Sequence, residues 1–163
     1  MATKRTKKSS KKGTHTVGSL HTSYWRWEKD AISWMSKIGL PFLRYSIAII
    51  FVWFGILKPL GVSPAQQLVE NTVYWFSPTW FFPFLGWWEV VIGLCFFYRP
   101  LLRIGLALLA LQMIGTFLPF LILPSVTFGS TPFSLTLEGQ YIVKNLVIIA
   151  AAIVVGSHMR DKG

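Results

Sequence analysis

One carboxylate, Glu89, stands in an apolar run from Trp80 to Tyr98, within Gly86-Trp87-Trp88-Glu89-Val90-Val91-Ile92-Gly93. A helix over that run rises about 1.5 Å per residue and leaves Glu89 roughly 13 Å from either end, near the midplane of a bilayer. Ionisable groups at that depth face a bundle interior or a wet cavity and find a partner, which makes Glu89 the first candidate for function. Three further apolar stretches carry polar groups: Arg44 and Lys58, then Gln112 and Thr116, then Gln140 and Lys144. Arg44 lies near the inner end of its stretch, Glu89 mid-membrane, and Lys144 roughly 8 Å below the outer boundary. Long cationic side chains span gaps of about 5 to 8 Å by lying along a helix, so Arg44, Glu89 and Lys144 are expected to form a buried network. Lys58, Trp88, Gln112, Thr116 and Gln140 are the positions expected to face a ligand.

Three chemistries fit this constellation. In one the charges only fix helix register, with Arg44 and Lys58 reaching to their interfaces. In the second, surplus positive charge beside Gln112 and Gln140 suits a quinone carbonyl, a small anion or a proton-linked step at Glu89. The third is a surface for a partner subunit. Burial favours the neutral form of a carboxyl and neighbouring cations the charged one, so Glu89 stays open between them. The only cysteine, Cys95, lies inside an apolar run and reads as a packing residue, and the three histidines are scattered. No His, Cys or carboxylate group has metal-ligand spacing, and no Gly-rich phosphate loop, haem-spaced His pair or Cys cluster is present. No cofactor is therefore firmly expected on the chain itself, a quinone being the candidate.

The elements that must position these groups follow from composition. With 53% hydrophobic and 13% charged residues among 163, and a mean hydropathy of +0.51, the chain is expected to be an all-α integral membrane protein. Residues 1–23 are basic and polar and are expected to be a disordered cytoplasmic tail. In residues 24–38, Trp27, Ala31, Trp34, Met35 and Ile38 recur at helical spacing, which predicts an amphipathic helix in the membrane interface. Spans are predicted over about 41–58, 80–98, 102–123 and 139–155, with Pro41 in the first turn of the first. Ser63, Pro64 and Gln66 read as N-cap, first residue and capping-box partner of a second interfacial helix. Arg99-Pro100-Leu101-Leu102-Arg103 allows only a tight turn, so the second and third spans are antiparallel neighbours. Pro119 and Pro124 bend or end the third span, and residues 158–163 form a C-terminal tail.

Charge sets the orientation. Thirteen of the 16 Lys and Arg fall in the first 37 residues, the middle turn and the C-terminal tail, against Lys58 alone on the other side. Four spans then place both termini in the cytoplasm. Lys4, Arg5, Lys7, Lys8, Lys11 and Lys12 are expected to meet anionic lipid headgroups rather than nucleic acid. Neutralising these six should weaken binding to anionic vesicles in a salt-dependent way, as a flotation assay would measure; unchanged binding would assign the tail to a protein.

The order of these residues resembles the DoxX-like membrane proteins. Phe42-Leu43-Arg44-Tyr45-Ser46 through Phe51-Val52-Trp53-Phe54-Gly55-Ile56-Leu57-Lys58 is similar to that family's first span, Trp88-Glu89 with Gly93 to its second, and Gln140-Tyr141-Ile142-Val143-Lys144-Asn145-Leu146 to its fourth. The resemblance covers about residues 40–157 and implies an antiparallel four-helix bundle of the bacterial inner membrane. Arg44, Lys58, Glu89 and Lys144 are its matching polar sites. It implies likeness to small subunits of thiosulfate:quinone oxidoreductases and to proteins of oxidative or thiol stress, and supplies no nucleophile. The expected function is an accessory or quinone-proximal subunit of a membrane redox or stress-response complex, not catalytic alone and assembled with other membrane or peripheral subunits. The alternatives are a small proton-coupled transport or ligand-binding module, and the membrane subunit of a thiosulfate:quinone-type oxidoreductase.

Overall fold

The computed structural model describes residues 15–159 apart from Pro132, with side chains from Trp25 onward. The basic cluster Lys4–Lys12 and the end of the C-terminal tail lie outside the described residues. The chain divides into two compact units, Met1–Gly39 and Leu40–Gly163.

Helix α1 (His15–Leu57) already begins within the stretch expected to be disordered. The stripe formed by Trp27, Trp34, Met35 and Ile38 is exposed, and Ser36 Oγ donates to the Ser33 carbonyl at 2.8 Å. Pro41 does not open a separate span, because it lies inside α1. A proline there forfeits one backbone hydrogen bond; the residue is exposed, so the loss falls outside the core.

Among the described residues four helical segments are long and apolar enough to cross a membrane: Trp25–Leu57, Pro78–Phe97, Arg99–Ile122 and Leu137–Ser157. The architecture is all-α, with one isolated bridge, Phe128 to Leu135, and no sheet among the described residues. Helix α2 (Gln66–Thr72) follows α1, and α3 (Pro78–Phe97) is the second long apolar element. A 3-10 turn, Arg99–Leu101, reverses the chain into α4 (Leu102–Phe117). Pro119 and Pro124 each open a short helix, α5 (Pro119–Ile122) and α6 (Pro124–Thr127), the position where a missing N–H is harmless. Helix α7 (Leu137–Ser157) closes the fold.

The capping box at α2 does not form. Ser63 Oγ accepts from Ala65 N at 3.4 Å, and Gln66 Nε2 reaches forward to Glu70 Oε1 at 2.8 Å. The helix therefore starts at Gln66, with Ala65 as its N-cap. The cap of α7 is a side-chain cap: Thr136 Oγ1 accepts from Gly139 N at 3.1 Å and donates to the Val126 carbonyl at 2.6 Å. One hydroxyl thus satisfies an orphan N–H of α7 and ties it to α6.

Within residues 40–159 the core draws on all four long helices: Ala48 and Phe51 of α1, Ile92 and Phe96 of α3, Leu109 of α4, and Ala152 and Val155 of α7. Outside that core, Trp53, Trp87, Ile114 and Val147, one on each helix, are 58–71% exposed. Apolar groups turned outward on every long helix describe a bundle solvated by hydrocarbon.

The two halves of the core are brought together by missing side chains. A Cβ on Gly86 would stand 2.6 Å from the Gly55 carbonyl oxygen, and one on Gly93 would stand 2.7 Å from that of Ala48. Helices α1 and α3 therefore touch backbone to backbone at two levels, along the narrow face carrying Gly86, Glu89 and Gly93. On the α4 side the contact is side chain to glycine: a Cβ on Gly105 would stand 2.8 Å from Cys95 Cβ.

Candidate functional site

The contacts of Gly86 decide what Glu89 meets. Besides the Gly55 carbonyl, a side chain there would collide with Lys58 Cβ at 2.7 Å and Pro59 Cδ at 2.6 Å. The bare glycine lets the stem of Lys58, the residue after the last turn of α1, pass over α3. Glu89 lies three residues further along, on the same face. Lys58 Nζ donates to Glu89 Oε2 in an ion pair whose side chains are 7% and 13% exposed. Gln112 Nε2 of α4 donates to Glu89 Oε1 at 2.9 Å. Both carboxylate oxygens are thus engaged, and three long helices meet on one residue. Lys58 also lies where the C-terminal carbonyls of α1 favour a cation.

This pairing corrects the expected network of Arg44, Glu89 and Lys144. Lys58–Glu89 is the only ion pair among the described residues. Arg44 lies level with the far end of α3: its guanidinium carbon sits 4.6 Å above the Tyr45 ring, and Tyr45 packs on Phe97 with centroids 5.9 Å apart. Phe97 is eight residues from Glu89, about 12 Å along the helix, beyond the reach of an arginine at that level. Lys144 points elsewhere. It is two residues from buried Ile142, about 200° around α7, and it is exposed, with its ammonium 5.1 Å from the Tyr141 ring centroid.

The expected ligand-facing residues separate in the same way. Lys58 and Gln112 join at Glu89. Thr116 turns back on its own helix, donating to the Gln112 carbonyl at 3.0 Å. Trp88 packs against the core and lies 6.1 Å from Phe84, ring to ring. Gln140 is exposed and donates to the Leu135 carbonyl at 3.3 Å. Gly55, which the spacing leaves without a role, is the residue on which the Lys58–Glu89 approach depends. Its signal is present in Phe54-Gly55-x-x-Lys58, three residues before the cation. Among the described residues, no group of three or more His, Cys, Asp or Glu side chains could hold a metal ion.

The fold and this site define a helical bundle of membrane-crossing length with a charged cross-link inside it. No family model, no curated protein and no solved structure matches the chain.

Proposed function

We propose that the chain is an accessory subunit of a membrane redox or stress-response complex, DoxX-like in kind, seated in a bacterial inner membrane with both termini in the cytoplasm. The observation that carries this reading is Lys144. It lies seven residues into α7, about 10 Å from the helix start, and is exposed, with Tyr141 the one group against its ammonium among the described residues. A cation on the outer face of a membrane-length helix calls for a carboxylate or other anion from a neighbour. Tyr141, 66% exposed on the same face, adds the amphipathic surface that subunit contacts favour. The Lys58–Glu89–Gln112 link supports the same view, since a carboxylate with both oxygens occupied serves a scaffold better than an open site. The redox setting and a nearby quinone rest on the resemblance in residues 40–157.

The test is mass spectrometry of the protein drawn from its native membrane in mild detergent, with Lys144→Gln beside it. Cofactor-bearing subunits are expected in stoichiometric amounts with the native chain and in at least tenfold lower yield with the variant, the loss corresponding to roughly 1.4 kcal/mol or more. Recovery of both forms alone would overturn the reading and leave a self-contained proton-coupled or ligand-binding module.

A further inference from the structure

Arg44 is buried, at 8% exposed, and its Nε is closed off from solvent with no hydrogen-bond partner. Among the described residues its guanidinium makes no hydrogen bond or ion pair, and it stacks on the Tyr45 ring. An arginine held this way has five donors in a fixed fork and no acceptor for them among the described residues. A buried unpaired charge is strongly unfavourable, so the position is expected to be occupied by an anion.

The surroundings specify the anion. Arg44 lies level with the end of α3, through Tyr45 and Phe97. The turn that follows carries Arg99 and Arg103, both exposed. The described carboxylates of residues 40–159 lie elsewhere: Glu70 in α2, Glu89 eight residues back along α3, and Glu138 at the opposite end of α7. Within residues 40–159 the described charges at the Arg44 end are therefore all cationic. From Phe97 a groove of about 390 Å³ runs beside α1, lined by Ile49, Val52, Trp53, Ile56 and Leu57. Its lining on α1, from Ile49 to Leu57, covers eight residues, about 12 Å of helix, against about 15 Å for half of a bilayer's hydrocarbon core. A cation at one end and an apolar channel of single-leaflet length are the two halves of a phospholipid site.

We infer that Arg44 and the α1 groove bind one anionic phospholipid, its phosphate diester on the guanidinium and one acyl chain along Ile49, Trp53 and Ile56. Tyr45 joins the halves, with its ring under the arginine and against Phe97. This is separate from surface attraction to the basic N-terminal cluster, because it needs one buried fork and one groove rather than net charge. It is independent of the Lys144 contact as well, so either can fail alone.

The experiment uses full-length protein in mild detergent, loaded with phosphatidylglycerol or phosphatidylcholine and read by native mass spectrometry. The native chain is expected to hold one phosphatidylglycerol in preference to phosphatidylcholine. Arg44→Gln should reduce that retention by about tenfold or more, the worth of a charge-assisted hydrogen bond. Ile49→Trp fills the groove from an exposed position and leaves Arg44 in place; it should release the lipid to a similar extent while the melting temperature stays near the native value. Undiminished retention in either variant would overturn the site. Displacement of the lipid by inorganic phosphate, with phosphate then held by native and Ile49→Trp proteins alike, would overturn the lipid assignment in favour of a free anion.

Discussion

Lys58→Met is expected to destabilise the bundle by about 3–5 kcal/mol, because it leaves the Glu89 carboxylate buried with Gln112 as its only donor. The pair is at once a link between α1 and α3 and a mutual neutralisation, and removing one member keeps the desolvation cost of the other. Lys58→Met combined with Glu89→Gln should recover most of the loss. The amide retains an oxygen for Gln112 Nε2, and no charge remains uncompensated. Unfolding midpoints in detergent for the two single variants and the double form a cycle whose coupling should exceed about 1 kcal/mol. Additive losses would mean that the two groups do not act as a unit. Glu89→Gln alone separates structure from function: a folded bundle that loses quinone binding or proton flux would give Glu89 a role beyond register.

Gly86→Leu should be as damaging by a steric route. Even Gly86→Ala puts a Cβ 2.6 Å from the Gly55 carbonyl oxygen, where backbone has to move, and overpacking of this kind costs about 1–3 kcal/mol. The leucine would force α1 and α3 apart and break Lys58–Glu89 with them. Gly115→Ala is the matched control, since nothing lies within 4 Å of its added methyl; helix propensity there favours alanine by up to about 1 kcal/mol. Thermal unfolding of the three variants should therefore rank Gly115→Ala at or above the native protein, then Gly86→Ala, then Gly86→Leu. A tolerated Gly86→Leu would rule out backbone contact between the helices.

The contrast between these residues marks what the amino-acid order can convey. Hydropathy and length are local properties, so the four long elements and the tight turn at Arg99–Leu101 are legible within a residue or two at most ends. Glu89 is legible as the focal residue because a lone carboxylate in an apolar run has no bland explanation. Its partner is not legible, because face and depth on each helix leave the offset between helices free. That offset is set where Gly55 meets Gly86, a contact between two residues with no side chains to advertise it. The rotation of the first half of α7 is hidden for a similar reason: Gln140, Lys144, Ile148 and Ala151 make one line along the helix, and Ile148 and Ala151 do face the core, but Gln140 and Lys144 are exposed and Gly139 and Ile142 are buried in their place. Pro41 and Ser63 mislead in the usual way, by carrying terminal signals that tertiary context overrides.

The double contact of α1 with α3 also limits how this bundle could work. Two helices that touch main chain to main chain at Gly55–Gly86 and Ala48–Gly93 cannot slide by one residue without driving a side chain into a carbonyl, so the pair behaves as a stator. Helices α4 and α7 meet instead through long, compliant side chains, Leu106, Met113 and Ile149 among them, beside a groove of about 390 Å³. Helix α4 is held to the same frame by Gln112 on Glu89 and at Gly105, where a Cβ would stand 2.8 Å from that of Cys95, so any stroke the protein makes would be carried by α7 against a fixed frame of α1, α3 and α4.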